Sequence, residues 1–194
     1  MPKVIDHDEE RQKLVITAAQ HIADNGVLGF TLRDLARAHG VTKGHIQHYF
    51  SCKEVLLLGT VDYIETRFIK LMESNITDSF ELTQYRLSQM LPMDKERSDL
   101  WRVKLAFSIF ARDSVDIHKS ILYWYQREHQ VGTRLFRKAE SKYCFHKDFN
   151  PGEAYRSLIV LVYGFGFTKN INPKLLPPSY QQSILNKAID DLLL

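Results

Sequence analysis

The chain has 194 residues, 44% of them hydrophobic and 25% charged, the balance of a globular protein with a buried core and one or two domains. Disorder, a collagen-like fibre and a disulfide scaffold are thereby excluded. Its formal net charge of +3 is too small to establish a nucleic-acid partner, so the distribution of charge has to carry that question.

The longest apolar run, Leu158 to Phe167, spans ten residues including two glycines, about half of the ~20 that a membrane-spanning helix needs. No transmembrane segment is predicted. Met1 to Glu10 contains neither a basic start followed by an apolar stretch nor a small-residue cleavage site, which points to the cytoplasm. Cys52 and Cys144 lie far apart, and the eight histidines form no Cys/His ligand array. A reducing compartment follows, with no structural zinc and no cofactor.

Period-two alternation is absent, whereas helical periodicity recurs throughout. Leu14, Val15, Ala18, Ala19, Ile22 and Ala23 make one apolar stripe on a first helix that ends near Asn25-Gly26. Three helix starts follow in close succession. Thr31 is a cap with Asp34 three residues on and Phe30/Leu35 as hydrophobic staple. Thr42 is the next, stapled by Val41/Ile46, and Ser51 the third, with Glu54 in the capping-box position and Phe50/Val55 as staple. That spacing leaves room for two short helices, 32–38 and 43–49, and then a longer one over 53–74. Gly40 stands between the short helices, where a positive φ turns the chain sharply. Further helices are predicted at 79–90, 98–112, 115–143, 152–168 and 179–193, separated by Pro-, Gly- and Asn-containing breaks.

Two short helices joined by a glycine turn, the second led by a polar cap, are a helix-turn-helix, whose second helix lies in the DNA major groove. Ala36, Gly40 and Ile46 supply the small residue, the turn and the apolar anchor that its steep packing requires. With Ile46 pointing inward, Gly44 and His48 fall on the opposite side, flanked by His45 and Gln47. Glycine inside a helix costs ~1 kcal/mol, so Gly44 on the outer face points to a partner that approaches the backbone. Gln47 suits adenine N6/N7, and Lys43 suits guanine O6/N7 or a phosphate. Thr31, Thr42, Tyr49 and Lys53 are candidate phosphate contacts, and after Asp34 every charge up to residue 53 is positive.

The run Gly29-Phe30-Thr31-Leu32-Arg33-Asp34-Leu35-Ala36, then Gly40-Val41-Thr42-Lys43-Gly44-His45-Ile46-Gln47-His48-Tyr49-Phe50 and Lys53-Glu54-Val55-Leu56, resembles the DNA-binding domain of the TetR family of bacterial one-component regulators. Within that family, His48-Tyr49-Phe50, Leu91-Pro92-Met93-Asp94, Trp101-Arg102-Val103 and Val162-Tyr163-Gly164-Phe165 resemble the choline-responsive betaine-pathway repressor group. Cys52 and Lys169-Asn170 depart from that group's pattern. The resemblance implies an all-α protein of about nine helices. A three-helix DNA-binding domain over residues 1–53 would precede a ligand-binding and dimerisation domain over 54–194. It also implies a homodimer formed by the last two long helices, a small-molecule effector, and Arg33 among the DNA-facing residues.

For His45, His48 and Cys52 a metal is the rival reading, but the short helix ends before Cys52 and spoils the geometry. Cys52 beside Lys53 at a helix start favours a thiolate, without a partner cysteine for a redox switch. The aromatic second half, with Trp101, Phe110, Trp124 and Tyr163 as candidate ligand-binding residues, suits a quaternary ammonium or an ordinary core. Tyr123, Trp124 and Tyr125 spread over about 200° of a helix, so they cannot all line one cavity. No dinucleotide-binding glycine motif, phosphate loop, nucleophile elbow or His-Glu-x-x-His motif is present, and no enzymatic activity is expected. The expected function is therefore a ligand-released repressor that binds a near-palindromic operator as a homodimer. The alternative is a helix-turn-helix architectural or partner-binding protein without an inducer.

Overall fold

The structure, a computed structural model, describes residues 7–73, 80–140 and 143–193. Nine helices and no strand form among them: α1 His7–Asn25, α2 Leu32–His39, α3 Lys43–Tyr49, α4 Lys53–Glu73, α5 Phe80–Gln89, α6 Lys95–Phe110, α7 Val115–Glu140, α8 Pro151–Ile171 and α9 Pro178–Asp190. The all-α expectation and the helix order agree with this. Predicted residues 74, 79 and 141–142 lie outside the described residues. No described helix is long and apolar enough to cross a membrane.

Local chemistry sets the early boundaries. Thr31 Oγ1 accepts from Asp34 N at 3.2 Å while Asp34 accepts from Thr31 N at 3.0 Å, a complete capping box that starts α2. Gly40 ends α2 at φ 75°, and Val41 N then donates to Ala36 O at 2.9 Å, the six-to-one bond of a Schellman stop. Two residues later Thr42 Oγ1 accepts from His45 N at 3.1 Å and starts α3. The helix over 53–74 begins at Lys53, so Cys52 rather than Ser51 precedes its first residue.

Several later boundaries differ from expectation by two or three residues, among them the end of α9, at Asp190 rather than 193. Helix α6 starts at Lys95, not 98, because the Asp94 carboxylate accepts from Arg97 N at 2.8 Å and caps it. It also stops at Phe110, where Arg112 N and Asp113 N close turns onto Ile109 O and Phe110 O. Helix α8 runs on to Ile171 because nothing interrupts its hydrogen bonding before Asn172-Pro173, where Asn172 N donates to Thr168 O at 2.8 Å.

The chain forms two compact units. The first extends through Glu65 and adds Arg102–Ile121. Its core is Leu14, Ala18, Ile22, Leu35, Ile46, Phe50, Leu56 and Leu57, all buried. Arg11 lies over the Phe50 ring, its guanidinium carbon 4.7 Å from the centroid. Lys104 and Glu65 form a buried ion pair in this unit.

The second unit comprises residues 66–101 and 122–194, with Phe68, Trp101, Phe136, Tyr155, Leu158, Val162, Leu185 and Ile189 in its core. Trp101 is fully buried, and its Nε1 donates to Met90 O at 2.7 Å. Glycines let two large rings lie against helix backbones: a Cβ on Gly166 would stand 2.3 Å from the Trp101 indole, and one on Gly132 only 2.1 Å from the Tyr155 ring.

Candidate nucleic-acid interface and effector pocket

Seven residues of α3 divide sharply between core and solvent. Ile46 is fully buried and Phe50, just past the helix, equally so, which fixes the helix on its partners by two apolar anchors. Lys43, Gly44, Gln47 and His48 are exposed together, as the inward direction of Ile46 requires. At Gly44 an added Cβ would meet only Thr42 Oγ1, at an ordinary 3.8 Å, so the fold itself does not demand glycine there.

The other DNA-facing candidates are placed individually. Thr42 is exposed, and because its oxygen accepts the capping bond, its hydroxyl hydrogen can still donate to a phosphate. Thr31 and Arg33 are exposed at the start of α2, but the Thr31 hydroxyl already donates to Asp34 at 2.7 Å. A phosphate would have to compete for that hydrogen. The hydrogen bonds from Thr31 hold the Asp34 carboxyl below the usual carboxylate range. Lys53 and Tyr49 are half-buried, the Tyr49 ring packing against His45 and His48 with centroids 5.2 Å away in each case. His45 is half-buried as well, its Nε2 lying 3.1 Å from Glu10 Oε1 on α1. Glu10 carries no sequence signal beyond being one acid among four in residues 6–10, and only the packing of α1 against the rest of the unit reveals its role.

In the second unit a cavity of about 360 Å³ is lined by Tyr125, Glu128 and His129 of α7 and by Tyr155, Ile159, Val160 and Tyr163 of α8. The Glu128 carboxylate is buried and accepts from Tyr155 Oη at 3.2 Å and from Tyr163 Oη at 3.1 Å. Burial, and then the neighbouring Glu128 charge, push the Tyr155 phenol well above its ordinary range, so it stays a neutral donor. His129 Nδ1 faces Thr133 Oγ1 at 3.4 Å, while its buried Nε2 has no partner among the described residues.

Of the four aromatic residues singled out for ligand binding, Tyr163 alone lines this cavity. Trp101 packs edge-on against Tyr163, centroids 5.1 Å apart, and supports the wall from behind. Trp124 packs on Tyr123, and Phe110 belongs to the first unit. The residues that sequence reasoning passed over are Glu128 and His129 with Tyr155. Their signal was available as Tyr125, Glu128 and His129 at i, i+3 and i+4 on α7, opposite Tyr155, Ile159 and Tyr163 at i, i+4 and i+8 on α8. Among the described residues no group of three or more His, Cys, Asp or Glu side chains is arranged to hold a metal ion.

With this geometry in place, comparison with known proteins is decisive for the N-terminal part. Residues 14–60 match the model of the bacterial regulatory proteins of the tetR family. Residues 14–60 are therefore a tetR-type N-terminal domain. It is 27% identical over 128 residues to the HTH-type transcriptional regulator PksA of Bacillus subtilis, covering 60% of this chain and 58% of that protein. It is 41% identical over 61 residues to the HTH-type transcriptional regulator BetI of Rhizobium meliloti, covering 31% of this chain and 30% of BetI. The fold extends over nearly the whole chain. A transcriptional regulator from Saccharomonospora viridis, solved in complex with choline, superposes with a TM-score of 0.81 at 22% identity, covering 94% of this chain and 96% of that one. These two relatives and this fold neighbour are each described as regulators of transcription.

Proposed function

We propose that the chain is a ligand-responsive transcriptional repressor that binds a near-palindromic operator as a homodimer and is released by a small molecule. The observation that carries this reading is α3 itself. A Thr42-capped helix, set behind a left-handed Gly40 and anchored by Ile46, presents Lys43, Gly44, Gln47 and His48 to solvent inside a tetR-family domain. The division of labour follows chain order, DNA reading in residues 1–53 and effector binding with dimerisation in 54–194.

Two features of the second unit support the finer parts. Along α8, Val160, Phe167 and Ile171 are exposed apolar side chains on one face, with the open Gly164 between them. A second copy would hide this stripe through a two-fold contact of α8 and α9. The cavity between α7 and α8 is the proposed effector site, with Tyr163, Tyr125, Tyr155, Glu128 and His129 as its contacts. Its carboxylate and tyrosine rings suit a small organic cation, and the choline-bound Saccharomonospora structure supports that class. Such a cavity favours the sensor over an architectural protein without an inducer. Binding to DNA places the protein in the cytoplasm.

DNA binding is tested by fluorescence anisotropy with selected and random duplexes. Replacing Gln47 by Ala should cost about 1–3 kcal/mol on the selected duplex alone. Replacing Lys53 by Ala should weaken both duplexes alike and lower the salt slope by about one unit. Equal losses for Gln47→Ala on the two duplexes would remove its assignment as a base reader.

A further inference from the structure

We propose that Glu10 of α1 is a proton-linked positioning residue for the DNA-reading helix, joining the end of α2 to the first turn of α3 through His39 and His45. This rests on the reading of α3 as the helix that meets DNA. The Glu10 carboxylate oxygen Oε1 lies 3.1 Å from His45 Nε2 and 3.4 Å from His39 Nε2, so one oxygen serves two rings on two different helices. The three side chains are mostly covered, at 18% exposure for Glu10, 17% for His39 and 30% for His45. His39 is held from its other nitrogen as well, Nδ1 lying 2.8 Å from Thr17 Oγ1 on α1. His45 in turn carries the Tyr49 ring at 5.2 Å. The carboxylate thereby fixes where α3 begins relative to α1 and α2.

The other charged and titratable groups nearby are turned to different partners. On α1, Glu9 and Lys13 pair with each other at 2.6 Å, Arg11 lies over Phe50, and His7 packs against His48 and Tyr49. On α2, Arg37 reaches toward Asp34 at 3.6 Å. On α3, Lys43 and His48 are exposed. Hydrogen bonding to His45 is the largest influence on the Glu10 carboxyl and, with His39, holds it below the ordinary carboxylate range despite partial burial.

Charge follows from this geometry. With both rings neutral the cluster carries one negative charge beside the helix that must approach phosphates; with both protonated it carries one positive charge. A polyanion approaching α3 favours the protonated form, so DNA binding should take up protons and tighten as the medium acidifies.

The test uses the full chain and a duplex enriched by selection, at pH 6 and pH 8 and one ionic strength. Wild type should bind about tenfold tighter at pH 6, as expected when the cluster beside α3 gains up to two positive charges. The His39→Gln/His45→Gln double variant should keep the two affinities within about threefold, whereas His146→Gln, outside the DNA-binding helices, should retain the wild-type ratio. Glu10→Gln, which keeps a hydrogen-bonding side chain and removes the charge, should bind tighter than wild type at pH 8. A measurement on wild type alone guards against variants that fold poorly: calorimetry at pH 7 in buffers of different ionisation enthalpy should show net proton uptake on binding. A wild type that binds the duplex equally at both pH values, or a double variant with the full wild-type ratio, overturns this inference and leaves the regulator intact. A wild type that enriches no duplex at either pH overturns the regulator reading and this inference with it.

Discussion

At Gly44 the DNA-reading helix forgoes helix propensity without any steric reason inside the protein, since a Cβ there would make only an ordinary contact with Thr42. Replacement by Ala should therefore stabilise the free protein by up to ~1 kcal/mol. If α3 meets DNA as proposed, the same methyl should weaken binding, because it would stand where the groove wall approaches the backbone. Thermal unfolding and anisotropy on one preparation check both halves, and a stabilised variant with unchanged affinity would contradict the close approach. Asp34 supplies a pH-dependent prediction. Its carboxyl is held low in the folded chain, so its contribution to stability is present above the unfolded carboxylate range near pH 4 and is lost as pH falls through the folded value. Asp34→Asn should be less stable than wild type at pH 6, and the gap should narrow at pH 3 when measured by urea midpoint. A gap of constant size would mean that the carboxylate charge plays no part in the cap.

Helices were legible where their signals are local. Thr31, Gly40 and Thr42 act within three or four residues of themselves, so the positions of α2 and α3 could be read directly. The start of α6 is equally local, since Asp94 caps it through Arg97 N, yet the predicted helix begins only at 98. The proposed effector cavity is a different kind of object. Spacing puts each lining set on one face of its own helix, but that the face of α7 meets the face of α8 is a long-range fact that periodicity along either helix does not contain. Of three consecutive aromatics Tyr125 alone lines it, while the conspicuous Trp101 is consumed by Met90 and Gly166. Filling the cavity tests its assignment. Ile159→Trp should abolish the heat of choline binding in calorimetry while leaving affinity for the selected duplex within about threefold, since the substitution lies outside the DNA-binding helices. Choline heat retained in full by the variant would place the effector elsewhere.

Three helices, α4, α6 and α7, each contribute residues to both compact units, so they are the covalent routes by which an event in the α7/α8 cavity can reach the DNA-binding helices. A ligand shifts such a protein only by its differential affinity for two states, which requires that the effector-bound state hold the two α3 helices of a dimer at a spacing unsuited to successive major grooves. The central claim is that α3 reads a two-fold operator in that dimer. Selection of bound duplexes from a random library, followed by sequencing, tests it most directly. The wild type should enrich a near-palindrome with half-sites about 34 Å apart or a multiple of it. Phe167→Glu, which places a charge in the α8 stripe, should enrich a single half-site or nothing. Recovery of no common sequence by the wild type, or of the full palindrome by a Phe167→Glu variant shown to be monomeric by light scattering, would contradict the account.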